Sequence, residues 1–305
     1  MEIVTERPPV NGAPPELGAG ETIAAMPGIG YQPAVASRRF VRLADAGAAD
    51  DEALVAEEVP VAFVYSGRPH VVMMCSPGDL DDLAYGFTLT EEIVGDASEI
   101  GRVATERHSR GIELRIEVPP AALDRLARRA RSLAGRTGCG LCGVEAIDDA
   151  VRAPRVVASR LVVERESLWR AAAALDALQP LNRDTRAVHA AAWCSRDGTA
   201  AVVREDVGRH NALDKVLGAL ARSGTDASEG FVVVTSRASF ELVQKVAVSG
   251  VPLLAAVSRP TGLAVRIAAA AGITLIGLLR GRTANVYTHP SRVHSAAPRT
   301  PHSSP

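Results

Sequence analysis

Two thiols three residues apart stand in the segment Arg136-Thr137-Gly138-Cys139-Gly140-Leu141-Cys142-Gly143. Three glycines flank or separate them, so the segment reads as a loop that can swing and expose both sulfurs to a large partner. Arg125, Arg128, Arg129, Arg131 and Arg136 lie just upstream, and their positive field favours thiolate over thiol. Thiolate is the nucleophile of sulfur chemistry: it can take the outer sulfur of a persulfide, and the second thiol can then release that sulfur by closing a disulfide, or share the load. Three other readings compete for the same residues. A zinc site needs four ligands, whereas Cys75 and Cys194 are solitary and no second CxxC is present, so His189 or His210 would have to complete the set. A thioredoxin-type redox pair sits at a strand-to-helix junction, but this pair follows a helix inside a glycine loop. A structural disulfide is disfavoured in a reducing compartment. Cys75 and Cys194 fall in apolar runs and read as core residues.

A second group of residues recurs through the C-terminal half. Four apolar runs are each followed by a short polar segment: Glu205-Asp206-Val207-Gly208-Arg209-His210-Asn211, Ser236-Arg237-Ala238-Ser239, Ser258-Arg259-Pro260-Thr261, and Arg280-Gly281-Arg282-Thr283. Each carries arginine with a small hydroxyl or amide residue. Guanidinium forks and hydroxyls match phosphate oxygens, and helix N-termini add partial positive charge, so a ligand with several phosphates fits better than a neutral metabolite. Taken singly, Ser236, Ser239, Thr261 and Asn211 are ordinary helix caps. Glu205, Asp206, Arg209 and His210 suit a structural ion-pair cluster as well as a binding site. His189, inside a strand pattern, reads as a satisfied buried histidine.

The elements that must position these residues follow from periodicity. VPVAFVYSG and RPHVVMMCS read as strands across a Ser66-Gly67 turn, followed by an amphipathic helix from Pro77 to about Val94, a strand at about 111–118 and an Arg-rich helix at 120–134. In the second half a helix at Glu166–Leu178 and a strand at about 185–194 precede strands and helices in alternation up to ITLIGLL. Short, fully apolar strands alternating with helices imply an α/β fold of three layers around a largely parallel sheet, with a smaller β-rich α+β unit before it. The expected division is a mobile extension at 1–38, an N-terminal domain with the CxxC loop at 39–150, a C-terminal α/β cofactor-binding domain at 151–292, and a mobile tail at 293–305.

Composition narrows the classes. With 47% hydrophobic residues, 305 residues bury a sizeable core, and a net charge of -1 marks neither a nucleic-acid nor a membrane-surface binder. No basic leader with an apolar run opens the chain, and no apolar stretch reaches the roughly 18 to 20 residues of a membrane span, which places the protein in the cytoplasm.

Five segments carry a resemblance: SPGDLDDLAYGFTLTEEIV, RTGCGLCGVEAI, REDVGRHNALDKVLGA, TSRASFELVQKVAVSGVPLLAAVS and RGRTANVYTHP. In order and spacing the chain resembles, from about Phe40 to Arg292, the FdhD/NarQ family of formate dehydrogenase accessory sulfurtransferases. The resemblance implies a sulfur carrier that accepts sulfur from a cysteine desulfurase and delivers it to the molybdenum or tungsten of a bis(molybdopterin guanine dinucleotide) cofactor, as cargo, before insertion into formate dehydrogenase. Cys139 matches the persulfide-bearing cysteine and Cys142 its partner. The family's cofactor-binding stretch falls on Leu278, Leu279, Arg280, Gly281, Arg282 and Thr283, beside the Arg237, Asp206, Arg209 and His210 singled out above. Family members carry an aromatic at the position of Leu278 and a second basic residue near Thr283; here the basic residue stands one place earlier, as Arg282. The resemblance further implies a homodimer, no permanently bound metal and a cytidine-deaminase-like core. The chain lacks the deaminase pairing of HxE with PCxxC, so zinc-dependent deamination is not expected. The alternative is a non-enzymatic chaperone that holds the finished cofactor.

Overall fold

The computed structural model describes residues 34–45, 47–131 and 154–294, the last five of the middle segment by their backbone alone. An antiparallel ribbon comes first, formed by β1 (Val35–Ala44) and β2 (Gly47–Ala56). It begins within the stretch expected to lack regular structure, and almost every residue of both strands is exposed.

A four-stranded sheet follows, built from β3 (Val59–Tyr65), β4 (Arg68–Cys75), β5 (Val103–His108) and β6 (Gly111–Ile116) in the order β4-β3-β6-β5. Ser66 and Gly67 turn β3 into β4 with φ of 45° and 82°, the left-handed region glycine enters without cost. Val59, Val61, Phe63 and Tyr65 alternate onto one face of the sheet, where they pack with Leu83, Ala84 and Phe87 of helix α1 (Leu80–Thr90). This helix is shorter than its apolar pattern predicts. The chain turns at Glu92, φ 53°, and drops Ile93 and Val94 into the same core. Helix α2 (Pro120–Arg131) closes this part.

The second half contains β7 (Val163–Glu164), α3 (Arg165–Ala177), α4 (Pro180–Thr185), β8 (His189–Ser195), β9 (Ala200–Asp206), α5 (Arg209–Ser223), β10 (Gly230–Val234), α6 (Phe240–Val248), β11 (Leu253–Ala256), α7 (Gly262–Ala271), β12 (Thr274–Arg280), β13 (Thr283–Val286) and β14 (Val293–His294). Strands β8 to β13 form one six-stranded sheet in the order β13-β12-β11-β10-β8-β9. Side chains alternate across it: Val232, Val234, Leu254, Ala256 and Leu275 meet α5, α6 and α7, while Phe231, Val233, Leu253, Ala255 and Ile276 meet α3. Helices therefore cover both faces. The sheet is mixed, not largely parallel: only β10, β11 and β12 run parallel, and β8, β9 and β13 join antiparallel. The cause is connection length, since the short turns after Ser195 and Arg280 can join only antiparallel neighbours. Among the described residues no helix is long and apolar enough to cross a membrane.

The two halves meet through α1 and α5, which touch at backbone distance. A Cβ at Gly86 would overlap the carbonyl oxygen of Asp214, and one at Gly218 would overlap that of Asp82. Each glycine thus lets the opposite helix's backbone in. Three buried carboxylates line the seam. Asp82 of α1 receives Arg204 and Arg222, at 2.7 Å and 2.5 Å. Asp214 of α5 receives Thr90 Oγ1 at 2.8 Å and Lys245 Nζ at 3.0 Å, and the same ammonium reaches Glu91 at 3.0 Å. Asp206 pairs with Lys215 at 2.6 Å, both fully buried. Loss of one member of such a pair strands the other without solvent, at a cost of about 3–5 kcal/mol.

Gly218→Ala should cost about 3 kcal/mol or more, because the added methyl has only backbone to displace. Urea unfolding measures this, and an unchanged midpoint would refute the close approach.

Candidate functional site

Cys139 and Cys142 lie outside the described residues, as do Arg136 and the side chains of Arg128, Arg129 and Arg131. Arg125, the described arginine of that group, donates to the Ile93 carbonyl from Nε at 3.1 Å and from its terminal nitrogen at 2.9 Å, and it reaches Glu99 at 3.4 Å. It therefore anchors α2 to the segment between α1 and β5 rather than standing free. The two described cysteines, Cys75 and Cys194, are fully buried. Burial pushes the Cys194 thiol up to about 12 and, with the neighbouring Asp206 carboxylate, the Cys75 thiol well above its ordinary value. Neither can supply thiolate at neutral pH.

The four arginine-bearing segments all lie at one end of the six-stranded sheet. The three that follow β10, β11 and β12 are zipped side by side by their own backbone. Val257 N–H donates to Val234 O, Thr261 N–H to Ala238 O and Leu278 N–H to Ser258 O, each at 3.0 Å. Helices α5, α6 and α7 start from this end, so their N-termini add partial positive charge to it. Strand β8 begins here as well, with His189 paired to Asp206 across the register.

Asp206 is a bracket beneath this surface rather than part of it. Its Oδ2 accepts from Lys215 and from Ser76 N at 3.0 Å; its Oδ1 accepts from Gly208 N at 2.8 Å and Asn211 Nδ2 at 3.0 Å. These donors use up both oxygens and fix the Val207-Gly208 turn that presents Arg209 and His210. Asn211, which reads as a cap, instead ties α5 to the Met74 carbonyl at 3.0 Å. Thr261 is a cap, its Oγ1 accepting from Ala264 N at 3.3 Å.

Ser239 behaves differently. It stands at the N-cap of α6, yet its hydroxyl makes no capping bond. Among the described residues, the buried side-chain polar atoms without a hydrogen-bond partner are Arg209 Nε, His210 Nε2 and Ser239 Oγ. Arg209 and His210 open α5 just after β9, and Ser239 stands at the N-cap of α6 after β10. A buried polar atom left unmatched costs roughly 1–3 kcal/mol, and such atoms mark places where the fold is held for something else. His210 Nε2 stands 3.7 Å from Glu241 Oε2, an ionic distance too long for a hydrogen bond. Burial would raise the Glu241 acid, but the facing His210 imidazole and then the nearby Ser239 hydroxyl outweigh it, and the group is held at about 2. Burial first, then the charges of Arg209 and His210, pushes His189 below its ordinary value, so it stays neutral at pH 7. Sequence reasoning missed Glu241, because an acid in a first helical turn is what a helix dipole alone would select.

Outward from this cluster, Arg237, Arg259, Arg280, Arg282 and Thr283 are exposed. No carboxylate among the described residues lies within ion-pair distance of Arg209, Arg237, Arg259, Arg280 or Arg282. Arg280 spends its Nε on Val257 O at 2.9 Å and leaves its terminal nitrogens outward. Leu278, half-buried, has φ 54°, and Gly281 has φ 56° in the turn to β13. Leu279 is a core residue, 1% exposed, so its side chain packs inward. Gly277 lies against Pro260 and Ser258 with no room for a Cβ, which brings the last two loops into contact. The chemistry on offer is a shelf of unpaired guanidinium groups, with buried donors behind it, suited to phosphate oxygens. Two hollows, of about 240 Å³ beside Arg160 and Arg292 and about 360 Å³ beside Glu99 and Glu117, lie away from these loops. Among the described residues no three His, Cys, Asp or Glu side chains converge as metal ligands.

The FdhD/NarQ family model matches residues 56–294. The chain is 52% identical over 240 residues to the sulfur carrier protein FdhD of Xanthomonas axonopodis pv. citri (strain 306), covering 79% of this chain and 85% of that protein. It is 51% identical over 243 residues to the sulfur carrier protein FdhD of Cupriavidus necator, covering 80% and 84%. A crystal structure from Desulfotalea psychrophila, provisionally described as a formate dehydrogenase accessory protein, superposes with a TM-score of 0.68 at 24% identity, over 86% of this chain and 100% of that one; this likeness speaks to the fold.

With Cys139 and Cys142 changed to serine, the folded chain should react with no thiol reagent at pH 7, and two thiols should appear on denaturation. Titration with a chromogenic disulfide checks this, and a native-state reaction would contradict the burial of Cys75 and Cys194.

Proposed function

The chain belongs to the FdhD/NarQ family, and from that premise we propose that it is a sulfur carrier serving formate dehydrogenase, with Cys139 as the sulfur-bearing residue. Curated relatives about half identical to it bear the name of sulfur carrier. In the proposed step the Cys139 thiolate attacks the outer sulfur of a cysteine desulfurase's persulfide. The donor's S–S bond breaks, its thiolate leaves, and a persulfide forms on Cys139. In release the Cys142 thiolate attacks the inner sulfur of the Cys139 persulfide, the bond to the outer sulfur breaks, and that sulfur leaves at the sulfide level as a Cys139–Cys142 disulfide forms, so the two thiols supply the two electrons. Acting as a sulfurtransferase in the cytoplasm, the carrier passes this sulfur to the metal of a bis(molybdopterin guanine dinucleotide) substrate.

The observation that carries the substrate half of this reading is the placement of the unmatched donors. Arg209 Nε, His210 Nε2 and Ser239 Oγ sit in the same loop set as the exposed Arg237, Arg259 and Arg280, none of which has an ion-pair partner among the described residues. A polyphosphate supplies what both groups lack: acceptor oxygens for the buried donors and negative charge for the guanidinium groups. In this reading Arg237, Arg259 and Arg282 hold the phosphates, Ser239 and His210 take further oxygens, and the Leu278–Thr283 turn supplies backbone contacts. Asp206 and Glu241 act from behind, one holding the loop's shape and the other facing the imidazole. Cys75 and Cys194, locked in the cores, do not compete for sulfur.

Incubation with a cysteine desulfurase and cysteine should add about 32 Da per sulfur to the peptide carrying Cys139. Cys139→Ala should abolish that gain and, in cells, remove formate dehydrogenase activity at unchanged enzyme abundance. Activity retained in the variant would refute the assignment. Calorimetry with GDP as probe tests the other half. Arg237→Gln and Arg259→Gln should each weaken binding about tenfold, and more so at low salt, without lowering thermal stability, because each removes one exposed charge contact. Affinity indifferent to both changes would place the phosphates elsewhere.

A further inference from the structure

The corner where α5 and α6 begin holds more positive charge than its carboxylates match. Along β8, Ala191 and Trp193 face α5, α6 and α7, and the same alternation places His189 on that face, at the strand end beside Arg209 and His210. His210 and Glu241 are each the second residue of their helices. Both helix N-termini direct partial positive charge into the corner, and Arg209 adds a full one. Two carboxylates stand close enough to offset it. Asp206 is spent on Lys215, Ser76 N, Gly208 N and Asn211. Glu241 faces the His210 imidazole at 3.7 Å. The charged groups around His189 are thus Arg209, His210 and the committed Asp206, and no side chain among the described residues hydrogen-bonds its imidazole. Burial first, then Arg209 and His210, drive the proton off this ring.

We infer that ligand binding at this corner is coupled to a proton: a phosphate seated against Arg209, His210 and Ser239 makes His189 take up one proton from solvent. The phosphate oxygens fill the vacancies left by the unmatched Arg209 Nε, His210 Nε2 and Ser239 Oγ. Their negative charge cancels the field of the guanidinium and the helix ends. His189 then binds a solvent proton at its unprotonated ring nitrogen and becomes an imidazolium with a counter-ion it lacked before; no other bond forms or breaks. The sign follows from linkage. At low pH His189 is charged with or without ligand, at high pH it is neutral in both states, and between its ligand-free and ligand-bound pKa values each binding event carries a proton, so affinity rises as pH falls. Loss of that proton loosens the hold and gives a carrier a means of letting its cargo go. The inference rests on the phosphate-binding reading above and deepens it.

Calorimetric titration of the full chain with di(guanosine-5′) diphosphate tests it. Both phosphates of this probe are diesters, so they keep a fixed charge from pH 6 to pH 8 and bind no proton themselves. At pH 7 the heat of binding, measured in buffers of different ionisation enthalpy, should vary with that enthalpy by a slope of up to about one proton taken up per chain. Affinity should fall about tenfold from pH 6 to pH 8, the equivalent of one unit of pKa shift. His189→Gln and His189→Asn should still bind, with the buffer dependence gone and the pH profile flat, and thermal unfolding confirms that each is folded. Binding that shows no buffer dependence overturns the inference and leaves the phosphate site standing. Undiminished uptake in either folded variant overturns the part given to His189. A chain that does not bind the probe at all overturns the inference together with the phosphate reading. If neither variant folds, the buffer dependence of the unaltered chain decides.

Discussion

Everything at the candidate site hangs from the seam where α1 and α5 touch. Two glycines remove the side chains that would hold these helices apart, and the backbones come into contact. At that separation no water can serve the polar groups between them. The seam accordingly supplies its own partners: Asp82 with two arginines, Asp214 with Lys245 and Thr90, Asp206 with Lys215 and Ser76. Pairing of this kind adds little net stability, yet it fixes register, since a shift of one helix by a turn would strand several charges together. Two of the motifs most visible in the sequence, at 76–94 and 204–219, face each other here. Much of what makes this chain recognisable is therefore structural, and lies beneath the chemistry instead of performing it.

The loops inherit their order from this arrangement. Asp206 looks inward to Lys215 and Ser76 and sideways to Gly208 and Asn211, so the turn that presents Arg209 and His210 is set by the interior. Farther along, backbone bonds tie the loops after β10, β11 and β12 to one another as far as Leu278. A shelf of like charges repels itself, and the rigidity of its support keeps the arginines facing one ligand instead of scattering toward solvent.

Legibility in the sequence tracked the range of the interactions involved. The arginine loops, the Ser66-Gly67 turn and the three-layer half could be read because each is announced within a few residues. The mixed character of the sheet was implicit in the short turns after Ser195 and Arg280, but fully apolar strands read alike in either direction. The ribbon gave no signal, since strands exposed on both faces lack the alternation that a buried face imposes. Asp206 could be read either as a ligand or as an ion-pair member, because the group that decides the matter, Ser76, lies 130 residues away. Glu241 and the unmatched Ser239 hydroxyl are visible only once two helices have been brought to the same corner. The thiol pair was legible by type and spacing, and it lies outside the described residues.

The pairing across the seam also governs how the protein comes apart. Asp82 belongs to the first half and its arginines to the second; Lys245 belongs to the second half and reaches back to Thr90 and Glu91. Produced separately, the first half would leave Asp82 without its arginines, and the second would keep Asp206–Lys215 and Asp214–Lys245 but lose the Ser76, Thr90 and Glu91 contacts. The same contacts require no peptide link between Arg131 and Pro154: a protease that cut there would leave two fragments still clasped by α1 and α5, migrating as one particle until a denaturant pried them open.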